Sequence, residues 1–282
     1  MTTPSPWLTV ATVVKDDDAA FERTAASLRT QRGAGMWEWL IVDSSKDREG
    51  VPTLAASTTF DEAPAVRVIW TPPNGVYPAM NTALETAEGE FVLFLNAGDT
   101  LFADDVLARV LEITRRTKPR WLFGPVEILQ IDGRRVRTPA WDFAAERHAS
   151  FARGHFPPHQ GTFARRDDLL AADGFDLRYT IAADYAMFLN LAQRGDPVQV
   201  DFPIANFVEG GLSTRRWRAS FREFHAARRA ILAPRGWDAF RERVETVRHY
   251  AAVSVYRGLR SLIQRIQRIQ RIQRIDRTGG DT

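Results

Sequence analysis

Several residue types and patterns are missing from this chain of 282 residues. It has no cysteine, which excludes disulfide bonds and thiolate metal sites and fits a reducing cell interior. No apolar run approaches the roughly 18 residues that a membrane-spanning helix needs. The start, M-T-T-P-S-P-W, lacks the basic and apolar regions of a signal peptide. These absences lead us to expect a cytoplasmic protein.

The formal net charge of +3 hides an uneven distribution. Residues 1–211 carry 21 Lys and Arg against 29 Asp and Glu, a balance of −8. From Leu212 onward, 17 Arg face 6 acidic residues, a balance of +11. A basic tail on an acidic body predicts an anionic partner, either a bilayer surface or nucleic acid. We expect an anionic membrane surface, on the inner face of the cell membrane, and no nucleic acid.

Apolar runs alternate with helical patterns through the first half of the chain. The strand candidates are residues 8–14, 39–42, 66–70 and 91–95. The helix candidates are residues 19–31, 51–57, 79–87 and 104–117. This alternation predicts an α/β protein with a mostly parallel, doubly wound sheet.

The pattern changes after Pro119. A hairpin is predicted from residues 121–131 and 134–138, because Asp132-Gly133 is a typical turn. Residues 139–161 are expected to be irregular. Helices at 166–172 and 184–193 and a strand at 198–208 follow, and residues 217–277 form a helical stretch broken near Pro234. We expect a domain at residues 1–215 and a basic helical extension at 216–282.

The end of that extension is a low-complexity repeat, in which isoleucine recurs every third residue between Gln-Arg pairs. A period of three lags the helical turn by about 60° per step, so the isoleucines wind around a helix. The repeat is compatible with a poorly ordered tail or with a basic amphipathic segment on a membrane surface. A coiled coil is disfavoured because the period is not 3.5.

The segment from Pro73 to Asp99 is the most informative. It combines the turn Asn74-Gly75, a short helix, Gly89 at the position of a helix C′ glycine, and an apolar strand that ends near Asp99. Open α/β sheets bind their ligands at the carboxyl ends of their strands. The carboxylate of Asp99 would therefore lie beside a metal-bound phosphate.

At these residues the chain resembles the family-2 glycosyltransferases, whose segment reads D-x-G-I/V-Y-D-A-M-N…G-E-x-x-x-F-L-N-A/S-G/D-D. Further matches in the same order are S-L-x-x-Q, W-L-I-V-D-S-S-K-D, H-Q-G, G-F-D, A-D-Y and G-G-L-S-T. The resemblance covers roughly residues 7 to 215 and implies a GT-A type nucleotide-binding fold. Two positions depart from the family pattern, because Asn96 replaces the first Asp of the D-x-D metal motif and Pro78 replaces the Asp of Y-D-A-M-N.

The resemblance also implies roles for individual residues. It makes Asp184 the catalytic base and Asp99 the protein ligand of Mn²⁺ or Mg²⁺. It assigns donor binding to Thr12, Asp43, Asn74, Asn81, Asn96 and Asp99, the acceptor or sugar pocket to His159 and Gln160, and a loop over the diphosphate to Gly211, Ser213 and Arg215. Structural alternatives stay open: an Asx turn or helix cap at Asp43, caps at Asn81, Asp99 and Asp184, packing at His159 and Gln160, and simple membership of the basic tail for Arg215.

We therefore expect an inverting glycosyltransferase with a nucleotide-diphosphate sugar donor, most simply a UDP-sugar. The expected acceptor is a cell-envelope glycan or a lipid-linked glycan. A sugar nucleotidyltransferase is disfavoured, because no glycine-rich loop accompanies Lys15 near the first strand. The alternative is a catalytically weak or inactive protein of the same fold that binds membranes or nucleic acid, and Asn96 and Pro78 are the residues that suggest it.

Overall fold

The computed structural model describes residues 5–60, 62, 64–130, 133–139, 142–208 and 216–255. By its internal contacts the chain divides into two units, Met1–Leu232 and Ala233–Thr282. The first unit contains the sheets and most helices. In the second unit, residues 236–255 are helical. The isoleucine repeat and the predicted diphosphate residues Gly211, Ser213 and Arg215 lie outside the described residues.

The first half alternates strands and helices as the sequence predicts. The strands are β1 (Leu8–Val14), β2 (Trp37–Asp43), β3 (Ala65–Trp70), β4 (Phe91–Phe94) and the short β5 (Thr100–Leu101). The helices are α1 (Asp18–Arg29), α2 (Gly50–Ser57), α3 (Val76–Thr86) and α4 (Val106–Thr117). Helix α3 begins before the predicted start at residue 79, so Pro78 lies within its first turn, where its missing N–H costs no helical hydrogen bond.

The second half is less regular. Its strands are β6 (Trp121–Phe123), β7 (Val126–Leu129), β8 (Arg135–Arg137), β9 (Thr162–Arg165), β10 (Val198–Gln199) and β11 (Ala205–Val208). Its helices are α5 (Phe143–Ala152), α6 (Arg166–Ala171), α7 (Ala183–Arg194) and α8 (Trp217–Leu232), with a 3₁₀ turn at His159–Gly161. Helix α8 belongs to the first unit, although we expected the extension to start at residue 216.

The strands form two sheets. The main sheet has the order β10-β6-β9-β4-β1-β2-β3, and a smaller sheet has the order β5-β11-β7-β8. All neighbours in the main sheet are parallel except those of β9, which is antiparallel to both β4 and β6. The prediction of a mostly parallel α/β sheet is confirmed.

Burial explains why the apolar runs are strands. Every residue of β1 and β2 is buried, as expected for central strands covered on both faces. Apolar side chains form one core on each face of the sheet. On one face the ring of Phe21, from α1, stacks on Trp39 of β2 with centroids 5.3 Å apart.

Three predicted elements are wrong in detail. The hairpin is divided at Gly124-Pro125, so that β6 joins the main sheet while β7 pairs with β8 in the smaller one. The predicted strand at 198–208 is two short strands, β10 and β11, with Pro203 in the intervening loop. Residues 143–152 form α5 rather than irregular chain, and the carboxylate of Asp142 caps it by accepting from the backbone N–H of Ala145.

None of the described helices is long and apolar enough to span a lipid bilayer.

Candidate active site

The polar residues of the Pro73–Asp99 segment come together with others at the carboxyl ends of the parallel strands. Asp43 ends β2, the exposed Asn74 follows β3, and the segment 96–99 follows β4. Since β1, β2, β3 and β4 are parallel neighbours in the order β4-β1-β2-β3, these positions share one edge of the sheet. This is the edge at which open α/β sheets bind ligands.

Helix α1 holds the loop that carries Asp99. The backbone N–H of Gly98 donates to the carbonyl of Ala20 and to Oγ1 of Thr24, each at 3.0 Å. The Thr24 hydroxyl in turn lies 2.7 Å from the backbone oxygen of Asp99 and donates to it. Gly98 has φ +98°, a conformation that a side chain rarely allows. The carboxylate of Asp99 is therefore presented by an anchored loop, a contribution of Thr24 that the sequence did not reveal.

Burial raises the pKa of Asp99 from 3.8 to about 6. Three groups oppose this effect of burial on the pKa: the charge of His159, a hydrogen bond from the Gln160 side chain and one from the backbone of Asn96. The structural alternative of a cap for the next helix does not apply, because α4 begins only at Val106 and its N-cap is Asp105. The Asp99 carboxylate instead faces the 3₁₀ turn that carries His159 and Gln160.

Asp184 lies in the first turn of α7 but is not the helix cap, since the N-cap position is Ala182. Its Oδ1 accepts from the backbone N–H of Tyr185 at 2.8 Å and lies 3.3 Å from the hydroxyl of Tyr77. Its Oδ2 faces His159, whose Nδ1 is 3.7 Å away. One oxygen is thus fixed by hydrogen bonds while the other faces the site.

His159 connects the two regions. The Nδ2 amide nitrogen of Asn96 lies 3.3 Å from its Nε2. Since an amide nitrogen donates, Nε2 accepts in the neutral ring, and the proton of that neutral ring is assigned to Nδ1, on the side of Asp184. The ring therefore lies between the Asp184 carboxylate and the loop that carries Asp99. The sequence predicted His159 as a pocket residue but not this bridging position.

Tyr77 is a site residue that sequence reasoning missed. Its hydroxyl donates to the backbone oxygen of Ile181 at 2.8 Å and approaches Oδ1 of Asp184. Burial, followed by the negative charge of Asp184, raises the pKa of Tyr77 far above its usual value. The phenol consequently stays protonated and remains a hydrogen-bond donor. The signal was present in the sequence, because Tyr77 is the tyrosine of the Y-x-A-M-N motif.

Asp43 is almost fully buried, with one bound and one free oxygen. Its Oδ1 accepts from the backbone N–H of Ser45 at 2.8 Å, which is an Asx turn. Its Oδ2 is buried and has no hydrogen-bond partner among the described residues. Asp43 does not cap α2, whose N-cap is Glu49. Buried carboxylate oxygens are normally paired, so this one has acceptor capacity that no described residue uses.

Two residues predicted to bind the donor use their side chains within the protein. Thr12 is fully buried within the sheet, where its hydroxyl donates to the backbone oxygen of Leu95 at 2.8 Å and accepts from the indole N–H of Trp39 at 3.0 Å. Asn81 lies in the second turn of α3, and its amide exchanges two hydrogen bonds with the backbone of Phe175, at 2.8 and 2.9 Å. Both side chains use their polar atoms in hydrogen bonds within the protein that support the site.

The loop after β4 has oxygen donors that suit a hard divalent cation. Within the described ranges, no group of three or more His, Cys, Asp or Glu side chains is arranged to hold a metal ion. The loop offers the carboxylate of Asp99 and the amide oxygen of Asn96, which is buried and has no partner in the described part of the chain. Mg²⁺ and Mn²⁺ prefer oxygen ligands, and with one or two from protein they take the rest from phosphate and water. The residues present fit a metal that arrives with a diphosphate.

Comparison with known proteins supports this interpretation at the level of the family. Residues 9–168 match the model of Glycosyl transferase family 2. An uncharacterized glycosyltransferase of Mycobacterium tuberculosis (strain ATCC 25618 / H37Rv) is 28% identical over 219 residues, or 76% of this chain and 79% of that protein. A PGL/p-HBAD biosynthesis glycosyltransferase of Mycobacterium bovis (strain BCG / Pasteur 1173P2) is 30% identical over 154 residues. That match covers 53% of this chain and 52% of the relative, about half of its length.

Solved structures share the fold. S. aureus TarS 1-349 in complex with UDP-GlcNAc superposes with a TM-score of 0.62 at 18% identity, over 79% of this chain and 65% of that one. The mannosyltransferase PcManGT from Pyrobaculum calidifontis, in complex with GDP-Man and Mn²⁺, gives a TM-score of 0.55 at 16% identity, over 90% of this chain and 76% of that one. The family match, the related sequences and the shared fold lead to one conclusion: the chain belongs to glycosyl transferase family 2 and is a glycosyltransferase with a GT-A type fold.

Proposed function

We propose that this glycosyltransferase moves a sugar from a UDP-sugar to an acceptor hydroxyl with inversion at the anomeric carbon, and that Asp184 is the general base. The observation that carries the proposal is the position of His159 between Asp184 and the loop of Asn96 and Asp99. One ring thereby connects a carboxylate suited to the acceptor with one suited to the donor diphosphate.

The chemistry follows from the two oxygens of Asp184. Oδ1 is engaged by the Tyr185 N–H and by Tyr77, so Oδ2 is the atom that takes the acceptor proton. As the proton moves to Oδ2, the acceptor oxygen forms its bond to the anomeric carbon. The bond from that carbon to the diphosphate oxygen breaks on the opposite face, and the nucleoside diphosphate departs with the electron pair. A single displacement of this kind inverts the anomeric configuration.

The donor-binding roles rest on different observations. The free, buried Oδ2 of Asp43 suits an N–H of the nucleobase or a ribose hydroxyl. Asp99, with Asn96 beside it, holds the metal-bound diphosphate in this proposal. Mn²⁺ or Mg²⁺, when bound there, neutralises charge on the leaving group. From the sequence we keep the proposals that Asn74 contacts the donor and that the residues Gly211, Ser213 and Arg215 close over the diphosphate.

The acceptor side is proposed from the related proteins and from the charge of the tail. The relative from Mycobacterium bovis is named as a glycosyltransferase of PGL/p-HBAD biosynthesis. We therefore propose a cell-envelope glycan or lipid-linked glycan as acceptor. His159 and Gln160 line the pocket in which the sugar and acceptor meet. The basic tail would keep the enzyme on the inner face of the membrane, in the cytoplasm. The family match disfavours the alternative of an inactive binding module.

A donor panel tests the proposal. Nucleotide release is measured with UDP-GlcNAc, UDP-glucose and GDP-mannose, with and without Mn²⁺. With the donor that turns over, Asp184→Asn should lower the rate by about 10²–10⁴-fold, because an amide has the shape of the carboxylate but cannot take a proton. Binding of UDP with Mn²⁺ should be unchanged. Asp173→Asn, an exposed aspartate upstream of α7, is the matched control. An Asp184→Asn rate within a few-fold of wild type would remove Asp184 from the role of base.

A further inference from the structure

A glutamate on α8 holds the segment that leads into α7. Oε2 of Glu223 accepts from the backbone N–H groups of Ile181 at 2.8 Å and of Ala182 at 2.9 Å. Its Oε1 accepts from the Thr180 hydroxyl at 2.9 Å. The three residues held in this way immediately precede the turn that carries Asp184. One side chain thus accepts three hydrogen bonds from three consecutive residues, which makes this a firm attachment.

The backbone of Ile181 is fixed on both sides of its Cα atom. Its N–H donates to Glu223, while its carbonyl oxygen accepts from the hydroxyl of Tyr77, which also lies 3.3 Å from Oδ1 of Asp184. A shift of Ile181 would therefore change the distance between Tyr77 and Asp184. The hydrogen bond between Ile181 and Glu223 is therefore linked, through the Ile181 backbone and the Tyr77 hydroxyl, to the surroundings of the Asp184 carboxylate.

Helix α8 also holds the residue that follows Asp184. The ring of Phe224 lies 4.4 Å from that of Tyr185, centroid to centroid. The buried guanidinium of Arg228 donates to the Tyr185 hydroxyl at 3.0 Å and to the carbonyl of Phe151 at 3.1 Å. The segment before Asp184 and the residue after it are thus both held by one helix, which lies beyond residues 9–168 of the family match.

A cap for α7 alone would not need this arrangement. Helix N-termini leave unpaired N–H groups, and a local Ser, Thr, Asp or Asn side chain usually accepts from them. Here the N-cap is Ala182, which has no side-chain acceptor, and the acceptor comes from a helix 41 residues further along the chain. The start of α7 takes its position from α8 rather than from its own sequence.

We propose that Glu223 is a positioning residue for the reaction: it sets the place of the Asp184 carboxylate relative to Tyr77 and His159. The proposal rests on the proposed role of Asp184 as general base. It makes α8 part of the catalytic unit. A misplacement of about 1 Å in a reacting group can lower a rate by about 10²-fold, so loss of these hydrogen bonds should be visible in turnover.

The test compares Glu223→Ala, Glu223→Gln and the control Arg222→Ala, the neighbouring exposed residue on α8, in the full chain. Turnover is read as nucleotide release from the active donor, donor-site integrity as binding of UDP with Mn²⁺, and the contact itself as amide hydrogen exchange of the peptide around residues 178–186. For Glu223→Ala we expect turnover to fall about 10–100-fold, UDP binding to stay within about 2-fold of wild type, and exchange at Ile181 and Ala182 to accelerate.

Glu223→Gln retains one oxygen for the two N–H groups, and its amide can donate to the Thr180 hydroxyl. It should therefore fold, bind UDP and recover part of the lost turnover, which keeps the test valid if Glu223→Ala fails to fold. Wild-type turnover in both Glu223 variants, with Asp184→Asn inactive, would overturn this proposal alone. An equal loss of UDP binding and turnover would also overturn it, since that indicates general damage. An active Asp184→Asn would refute the proposed base and this inference with it.

Discussion

Nδ1 of His159 lies 3.7 Å from Oδ2 of Asp184. The other nitrogen of the ring, Nε2, lies 3.3 Å from the amide nitrogen of Asn96, and the positive charge of the protonated ring lowers the pKa of Asp99 against the effect of burial. A single imidazole thus influences both carboxylates to which we assign chemistry. It joins residues that are far apart in the sequence, on α7 and on the loop after β4.

Replacement of His159 by alanine should affect both carboxylates. Turnover should fall about 10–100-fold, a typical cost of removing a supporting group around a reactive site. Because the pKa of Asp99 loses an influence that lowers it, the acid limb of the pH–rate profile should move to higher pH. His148→Ala, an exposed histidine on α5, controls for the loss of an imidazole. An unchanged pH profile in His159→Ala would contradict the link to Asp99.

The raised pKa of Asp99 predicts a pH-dependent stability of the metal-free chain. Its carboxyl has a pKa of about 6 in the folded protein and 3.8 as the reference value. The fold therefore favours the protonated form. The stabilisation from that proton is complete below about pH 4 and is lost as the pH rises through about 6. A shift of about two units corresponds to about 3 kcal/mol in the free energy of unfolding.

Denaturant unfolding between pH 4 and pH 7.5, for wild type and Asp99→Asn, measures this effect. The amide of Asp99→Asn does not titrate. The difference in free energy of unfolding between the two proteins should therefore decrease as the pH falls below about 6. Mn²⁺ binds the ionised form and should stabilise wild type more at pH 7.5 than at pH 5, and Asp99→Asn little at either. Parallel curves for the two proteins without metal would contradict the raised pKa of Asp99. An activity indifferent to EDTA would rule out the metal-binding assignment for Asp99.

Much of the fold could be predicted because its central strands are buried on both faces. The run from Leu8 to Val14 contains no charged residue, so its pattern is unambiguous. Helix α5 could not be predicted in this way, because only two large apolar residues, Phe143 and Phe151, mark its buried face. Strand β9 pairs antiparallel with β4 and β6, contacts that depend on tertiary packing.

Part of the candidate site could be predicted because some of its residues lie in local sequence motifs. Asp99 and Asp184 belong to local motifs, and the sequence alone singled them out. The relation of His159 to Asp184, and the free oxygen of Asp43, exist only after the chain has folded. The burial of the Thr12 side chain was not foreseen from its place near the end of β1, because a strand buried on both faces keeps even a threonine hydroxyl inside the sheet.

Gly89 gives a prediction about the fold itself. We expected it to end α3 as a C′ glycine, but α3 ends at Thr86 with Ala87 as its C-cap, and Gly89 is required by a close approach. A Cβ at this position would lie 2.3 Å from the backbone nitrogen of Thr9. Gly89→Ala should therefore lower the free energy of unfolding by about 3 kcal/mol or more, since β1 or the loop must shift.

The matched control is Gly50→Ala, at the start of α2. There a Cβ would meet the Asp47 carboxylate at 3.3 Å, which can move, and the Asp18 carboxylate at an ordinary contact distance of 3.5 Å. Alanine favours the helix by up to about 1 kcal/mol. The free energies of unfolding of the two variants, measured in urea, should differ by several kcal/mol. Equal stabilities would mean that the chain at Gly89 can shift away from β1 without cost.

The basic tail predicts a membrane-dependent activity. Each arginine near an anionic leaflet contributes about 1 kcal/mol, and the isoleucines add apolar burial. Deletion of residues 261–282 should leave nucleotide release unchanged but abolish sedimentation with anionic liposomes and lower transfer to lipid-linked acceptors. Added salt should weaken liposome binding of the full chain, because it screens exposed charges.

A second variant separates charge from apolar burial. The variant replaces the five arginines of the repeat by glutamine and keeps every isoleucine. The five arginines are Arg265, Arg268, Arg271, Arg274 and Arg277. If charge directs the tail to the membrane, this variant should lose liposome binding as the deletion does, and neutral liposomes should bind neither the variant nor the full chain well. Equal sedimentation of full-length and truncated protein with anionic vesicles at low salt would exclude an anchor. The repeat would then be a low-complexity tail, and access to a lipid-linked acceptor would have to depend on the catalytic unit.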